Sequence, residues 1–152
     1  MTPKPSLLIF DISGTLQQPD GQLYAGASEV LEQCVAAGYQ LALATNLGRG
    51  SMRQFIQDFG LAELVSVAKS ADDAPFKPHP EMLKSILLET ATAPGAALMI
   101  GDTPADMQMA QAAGTLAGAA CCGHTDSSLL LATAPDFVLP SISALSRLLQ
   151  LE

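Results

Sequence analysis

The sequence predicts an α/β fold in which a mostly parallel sheet carries helices on both faces. Short, continuous apolar runs of strand length alternate with segments of helical spacing along the whole chain. A strand that is apolar at every position is covered on both faces, which is typical of parallel sheets. Since alternating strands and helices join through right-handed crossovers, we expect three layers.

Six runs are predicted to be strands. The first covers residues 7–11, Leu-Leu-Ile-Phe-Asp, and ends in a carboxylate. The others follow in order at residues 39–44, 64–68, 97–100, 115–120 and 136–139. Ligands of such sheets bind beyond the carboxyl ends of the strands, so polar residues after these runs are the candidates for function.

Five segments between or after the strands have helical spacing. They cover residues 27–37, 49–59, 79–91, 104–113 and 141–150. Pro80 and Pro104 stand near first-turn positions, where proline is favoured. Between the first strand and the first helix, Pro-Asp-Gly at 19–21 is typical of a turn and predicts a small hairpin over residues 17–23.

Composition and charge limit the possible functions. A chain of 152 residues without a linker or repeat fits one domain over residues 1–152, and 49% apolar against 14% charged residues predicts a packed core. The net charge of −8 opposes binding to nucleic acid or to an anionic membrane. Three cysteines and a start without an apolar leader predict a cytoplasmic protein.

Four polar signals follow apolar runs. They are Asp11-Ile12-Ser13-Gly14-Thr15, Thr45-Asn46, Lys77-Pro78, and Gly101-Asp102 with Asp106. The predicted sheet would gather them at one edge. Each signal alone is often only a turn or a helix cap, so the prediction depends on the set.

In this order, the signals resemble the motifs of the haloacid dehalogenase superfamily: Asp-x-Asp-Gly-Thr, then Thr or Ser, then Lys, then Gly-Asp-x-x-x-Asp. Lys-Pro-His-Pro-Glu at 77–81 and the segment at 101–107 look like the phosphoglycolate phosphatase-like branch. The resemblance covers essentially the whole chain. It implies a Rossmann-like fold and a magnesium-dependent phosphohydrolase, that is, a phosphatase.

The resemblance also implies a metal site. A carboxylate that attacks a phosphomonoester repels it, so a cation has to bridge the two anions. Mg²⁺ prefers oxygen ligands, and the resemblance assigns it Asp11, Asp102 and the backbone carbonyl of Ser13. Asp11 is also the implied nucleophile, which would form an aspartyl phosphate that water then hydrolyses.

The remaining residues would bind the phosphoryl group or support the site. Thr45, Asn46 and Lys77 are the expected substrate ligands, and Lys77 would also keep Asp11 ionised. Asp106 lies one helical turn beyond Asp102 and would orient Lys77 or a metal-bound water, or else be only a carboxylate favoured at a helix start. Thr15 would shape the loop under the nucleophile or only form a turn.

Ser13 departs from the family pattern, which has a second Asp two residues beyond the nucleophile as general acid. A hydroxyl is a far poorer acid, and positioned acid–base catalysis contributes about 10² to 10⁴-fold. Substrates with good leaving groups, such as acyl phosphates or phosphoramidates, would need the acid least. The alternative is a catalytically weak or inactive domain that binds Mg²⁺ and phosphate.

A second departure is size. Only residues 12–44 and 46–76 fill the two intervals in which the family inserts cap domains, so we expect a capless protein with an open site. Because excluding water strengthens electrostatic interactions, either a neighbouring subunit of a homo-oligomer covers the site or the phosphorylated substrate is itself large.

Weaker signals remain open. Cys121, Cys122 and His124 could be a zinc site, although their spacing is unusual and cysteine often packs as a small apolar residue. His124 could instead line the mouth of the site. Arg49 and Arg53 could meet an anionic substrate or lie on a solvated helix face.

Overall fold

Six strands form one parallel sheet in the computed structural model, which describes residues 5–121 and 127–151. The strands are β1 Leu7–Phe10, β2 Gln40–Ala44, β3 Val65–Lys69, β4 Ala97–Gly101, β5 Leu116–Ala120 and β6 Phe137–Leu139. They stand in the order β3-β2-β1-β4-β5-β6, and each neighbouring pair is parallel. The α/β class and all six predicted strands are confirmed.

The strand order reverses at the centre of the sheet. The chain runs outward from β1 through β2 to β3, then returns to place β4 on the other side of β1. In open α/β sheets, ligands bind beyond the carboxyl ends of the strands at such a reversal. The residues that directly follow β1 and β4 are Asp11 and Asp102, so the topology places both at that point.

In the described part of the chain, six α-helices cover the sheet. They are α1 Ala27–Ala36, α2 Arg49–Asp58, α3 Glu81–Glu89, α4 Pro104–Ala113, α5 Ser127–Leu131 and α6 Leu145–Leu148. The helix predicted over 141–150 is instead a 3₁₀ helix, Ile142–Ala144, followed by the short α6. The helix predicted over 79–91 is shorter, because Pro80 precedes its first turn and Ala91 adopts a positive φ after its last.

The two faces of the sheet bury separate apolar clusters, which gives the three predicted layers. Leu8 and Phe10 point to the face covered by α1, α2 and α6, whereas Leu7 and Ile9 point to the face covered by α3, α4 and α5. All four are fully buried. Burial of such a side chain contributes about 1.5–3 kcal/mol to stability, so both layers hold β1 firmly in the centre.

The intervals on either side of Thr45 contain only core elements. Residues 12–44 hold the predicted hairpin, α1 and β2, and residues 46–76 hold α2 and β3. The hairpin is small: one antiparallel bridge joins Gln17 to Leu23. No cap domain is present in these two described intervals. Within the described residues, no helix has both the length and the apolar character needed to cross a bilayer.

Candidate active site

The predicted site residues lie at the carboxyl edge of the sheet. Asp11 continues the pairing of β1 with β4, since its backbone N–H donates to the carbonyl of Ile100 at 3.0 Å. Thr45 directly follows β2, and Asp102 directly follows β4. Lys77 reaches the same edge at the end of the loop after β3, residues 70–77, which we call the Lys77 loop.

The chain turns sharply after Asp11. The backbone N–H groups of Leu16 and Gln17 both donate to the carbonyl of Ile12 at 2.9 Å. The N–H of Ile12 donates to Oδ1 of Asp11 at 2.8 Å, which fixes the orientation of the carboxylate. Residues 12–17 therefore form a tight turn directly after Asp11.

Gly14 and Thr15 bring this turn against Asp102. Gly14 has a φ of 81°, and a Cβ at this position would collide with the Asp102 carboxylate. The Thr15 hydroxyl donates to Oδ1 of Asp102 at 3.2 Å. The positive φ and the lack of space for a Cβ both favour glycine at position 14. The hydrogen bond of Thr15 shows that this residue contacts Asp102 as well as forming a turn.

Lys77 joins two of the carboxylates. Its ammonium lies 2.8 Å from Oδ1 of Asp11 and 2.7 Å from Oδ1 of Asp106, and its side chain is only 3% exposed. One carboxylate oxygen each of Asp11, Asp102 and Asp106 lies within 4.8 Å of the others. Three carboxylates and one ammonium thus share a buried space.

Asp106 has both of the functions that the sequence left open. Its Oδ2 accepts hydrogen bonds from the backbone N–H and the hydroxyl of Thr103, at 3.2 and 2.8 Å, which closes a capping box at the start of α4. Its Oδ1 holds Lys77. One fully buried side chain therefore starts the helix and orients the ammonium.

Burial dominates the electrostatics of the site. It raises the pKa of Asp11 well above its usual value, the Asp106 charge raises it further, and Lys77 offsets only part of the effect. Burial and Asp106 also raise the pKa of Asp102. Burial alone would lower the pKa of Lys77, but Asp106 and Asp11 outweigh it and the pKa rises. Lys77 therefore acts in the expected direction on the pKa of Asp11, but burial and Asp106 outweigh it.

Thr45 and Asn46 follow β2 at the same edge of the sheet. Thr45 is buried, and its Oγ1 accepts from the N–H of Leu47 at 3.1 Å, so its own hydroxyl hydrogen can be donated. Oδ1 of Asn46 accepts from the N–H of Lys77 at 3.0 Å. Asn46 therefore contacts the backbone of the lysine that completes the site.

Ser13 is exposed and lies on the wall of a cleft of about 590 Å³. Gly14, Asp102, Thr103 and the hairpin complete the lining of this cleft. A cleft of about 560 Å³ around Tyr39 and Leu149 contains none of the predicted site residues. Among the three carboxylates, Asp102 borders the hairpin cleft.

Among the residues that carry the weaker signals, the structure describes Cys121, Arg49 and Arg53. Cys121 is half-buried, whereas Cys122 and His124 lie outside the described residues. The Arg49 guanidinium pairs with Asp73 at 2.7 Å, and Arg53 is exposed on α2.

The sequence matches the haloacid dehalogenase-like hydrolase family over residues 8–120. The chain belongs to this family. The matched segment runs from the second residue of β1 to the end of β5. It contains every predicted site residue, from Asp11 to Asp106. The family therefore accounts for the sheet and for the order of the polar motifs along it.

Relatives of this haloacid dehalogenase-like chain include named phosphatases. It is 30% identical to the phosphoglycolate phosphatase of Vibrio vulnificus, over 81% of this chain and 54% of that protein. It is 31% identical to the pyrophosphatase PpaX of Bacillus cereus, over 80% and 57%. A Haemophilus somnus structure described as a predicted phosphoglycolate phosphatase has a TM-score of 0.78 at 25% identity, over 84% of this chain and 57% of that chain. The chain thus spans little more than half the length of these relatives.

Two groups of residues at the site were not predicted. Thr103 forms the capping box with Asp106, although Thr-x-x-Asp at a helix start was a detectable signal for it. Ser70, Asp72 and Asp73 anchor the Lys77 loop. Ser70 bonds within the loop, whereas Asp72 and Asp73 bond to Arg49 on α2, which is 23 and 24 residues away, so spacing alone carries no signal for the contacts with α2.

Proposed function

We propose that the chain is a phosphatase that transfers a phosphoryl group to Asp11 with Mg²⁺ as cofactor. One observation supports this above all others: Asp11, Asp102 and Asp106 converge within 4.8 Å around the buried ammonium of Lys77. These side chains come from three separate regions of the chain, so local structure alone does not require them to meet.

The donor set fits a divalent cation. Three carboxylates and one ammonium leave a formal charge of −2 in a buried space, and buried charge without a counter-ion is costly. Oxygen donors suit Mg²⁺. Asp11, Asp102 and the carbonyl of Ser13 would hold the ion, while Asp106 is already engaged by Lys77 and Thr103. Bound Mg²⁺ would reduce the repulsion between Asp11 and an incoming phosphate.

The protein's own groups suggest how transfer proceeds. Oδ1 of Asp11 accepts from Lys77 and from the N–H of Ile12, so Oδ2 would attack phosphorus. A bond forms from this oxygen to phosphorus as the bond to the leaving oxygen breaks, and water then hydrolyses the aspartyl phosphate. Lys77, Thr45 and Asn46 would donate to the phosphoryl oxygens, and Thr15 and Asp106 would support the site.

Ser13 defines the second candidate. An exposed hydroxyl at this position gives the leaving group no strong acid. Acyl phosphates and phosphoramidates, whose leaving groups depart readily, are therefore the favoured substrates. A domain that binds Mg²⁺ and phosphate with little or no turnover is the alternative that the same observation favours.

A substrate panel with Mg²⁺ tests the proposal. It contains phosphomonoesters including phosphoglycolate, acyl phosphates and pyrophosphate, and it compares the wild type with Asp11→Asn, which preserves shape. We expect turnover in the wild type and a loss of at least about 10³-fold in the variant, because the amide cannot accept phosphorus. Turnover that survives in the variant rejects Asp11 as nucleophile. Absence of turnover on every substrate supports the binding domain.

We further propose that residues 1–152 act as one domain whose open cleft is covered by a second subunit or by a large phosphorylated substrate. The two cap intervals hold only core elements, which supports this. Light scattering at micromolar concentration tests the first option, and a monomer would exclude it. Unpaired thiols at Cys34 and Cys121 suit the reducing cytoplasm, and the net charge of −8 disfavours nucleic acid and anionic membranes as partners.

A further inference from the structure

The Lys77 loop has little apolar support. It leaves β3, which is an edge strand of the sheet, and Asp72 and Phe76 within it are exposed. Nevertheless, the loop delivers the Lys77 ammonium to a buried position between two carboxylates. Apart from Ala74, which packs against the apolar cluster on the α3 face, the contacts that hold the loop in place are polar.

The first group of contacts lies within the loop. Oδ2 of Asp73 accepts from both the backbone N–H and the hydroxyl of Ser70, each at 2.8 Å. The Ser70 hydroxyl oxygen in turn accepts from the N–H of Asp72 at 3.1 Å. The start of the loop is therefore a compact turn organised by the Asp73 carboxylate.

The second group joins the loop to the start of α2. Nη2 of Arg49 donates to Oδ1 of Asp73 at 2.7 Å, and the backbone N–H of Arg49 donates to Oδ2 of Asp72 at 2.7 Å. Gly48, at the N-cap of α2, has no side chain that could cap the helix. Asp72 therefore supplies from the Lys77 loop the cap that α2 lacks.

The far end of the loop is joined to the same segment. Oδ1 of Asn46 accepts from the N–H of Lys77, and the N–H of Thr45 donates to the carbonyl of Lys69 at 3.1 Å. The segment that carries Thr45 and the loop that carries Lys77 are thus connected at both ends. Arg49 is the residue in this connection that contributes both its backbone and its side chain.

We propose that the ion pair between Arg49 and Asp73 positions Lys77 relative to Thr45 for phosphoryl transfer. The inference rests on the proposed function, and it makes Arg49 a positioning residue that does not contact substrate. Bonds from Arg49 and Ser70 lower the pKa of Asp73 to about 2, so the pair stays charged at neutral pH. Since small misplacements of groups that contact the reacting atoms slow a reaction, the pair would act on turnover.

The test compares Arg49→Ala, Asp73→Asn and the double variant with wild type. Arg53→Ala is the matched control, because it removes the same charge from an exposed position on the same helix. With Mg²⁺ and acetyl phosphate, we expect each single variant to lower kcat about three- to tenfold with KM changed less than twofold. The double variant should be no slower than the slower single variant, since each single variant already removes the same ion pair.

Direct substrate binding by Arg49 would give a different result. Arg49→Ala would then raise KM, Asp73→Asn would leave kcat unchanged, and the two effects would add. That pattern overturns the inference. Single variants whose kcat is no lower than that of the control Arg53→Ala overturn it as well. In either case the wild type still turns over, so the proposed function stands.

Amide hydrogen exchange tests the placement of Lys77 without turnover. We expect exchange over residues 70–77 to be at least about threefold faster in Arg49→Ala than in wild type or Arg53→Ala, because the loop loses its ion pair with α2 and keeps only the backbone bond to Asp72. Equal exchange in all three proteins overturns the inference. A wild type without turnover overturns the proposed function, and exchange still decides whether Arg49 places the lysine.

Discussion

Ser13 puts a neutral hydroxyl on the cleft wall where a leaving group would depart. Replacing it by Asp supplies an acid at an exposed position with room for the larger side chain. We predict that Ser13→Asp raises kcat on phosphomonoesters by about tenfold or more, since positioned acid catalysis contributes about 10² to 10⁴-fold. Steady-state kinetics on p-nitrophenyl phosphate and acetyl phosphate measure the effect.

Ser13→Asn is the control for this substitution, because it has nearly the same shape as Asp and no acidic proton. It should not increase turnover. The gain in Ser13→Asp should be smaller on acetyl phosphate, whose leaving group needs no proton. If both variants equal the wild type on both substrates, a missing acid does not limit this protein.

Residues that follow strands were readable from sequence, and residues that act through distant contacts were not. Asp11 and Asp102 each end an apolar run, so parallel packing of β1 and β4 brings them together. Arg49 and Asp73 stand 24 residues apart, and although Arg49 was a candidate for substrate binding, nothing in the sequence pairs it with Asp73. The raised pKa of Asp11 also escaped prediction, because it depends on burial that only the fold reveals.

At the scale of the element, the start of α4 joins stability to the site. Thr103 donates its hydroxyl to Asp106 and accepts from the Asp106 N–H at 3.3 Å. We predict that Thr103→Ala lowers stability by about 1 kcal/mol, the usual cost of losing an N-cap. Thermal unfolding measures this as a fall of about 2–4 °C for a chain of this size.

Thr103→Ser keeps the hydroxyl and should unfold close to the wild-type temperature. An equal loss in both variants would show that the methyl group of Thr103, and not its hydrogen bonds, stabilises α4.

Elements with a full apolar pattern were predictable, and short ones were not. Each buried strand has an unbroken apolar run, which the two-sided packing requires. In contrast, α5 has only five residues, too few to show helical periodicity. Ile142, Leu145 and Leu149 are buried, but the helical spacing of this segment did not distinguish a 3₁₀ turn from an α-helix.

For the whole molecule, the buried charge predicts an unusual dependence of stability on pH. The pKa of Asp11 is raised above its ordinary 3.8, so the native state binds a proton that the unfolded chain releases. Between 3.8 and the raised value, the free energy of unfolding therefore falls as pH rises. The raised pKa of Asp102 acts in the same direction, whereas the pKa of Lys77 is raised above 10.5 and that of Asp73 is lowered to about 2. We predict that the protein, kept free of divalent metal by a chelator, loses thermal stability as pH rises above about 4.

Two comparisons check the cause. Asp11→Asn should have a shallower decline and a higher unfolding temperature than wild type at pH 8, because it removes one of the crowded charges. Mg²⁺ at 100 times its dissociation constant should stabilise the wild type by about 2.7 kcal/mol. A decline of equal slope in the wild type and the variant would contradict the assignment to Asp11.

The hairpin between β1 and α1 gives the molecule a place to acquire new specificity. At its tip, Gly21 has open space around it, and the same residue borders the cleft beside Ser13. Exposed turns accept inserted chain at little cost to the fold. A lid inserted at Gly21 would lie over the entrance of the cleft and would select which substrates enter. The residues that carry out the reaction below it would not change.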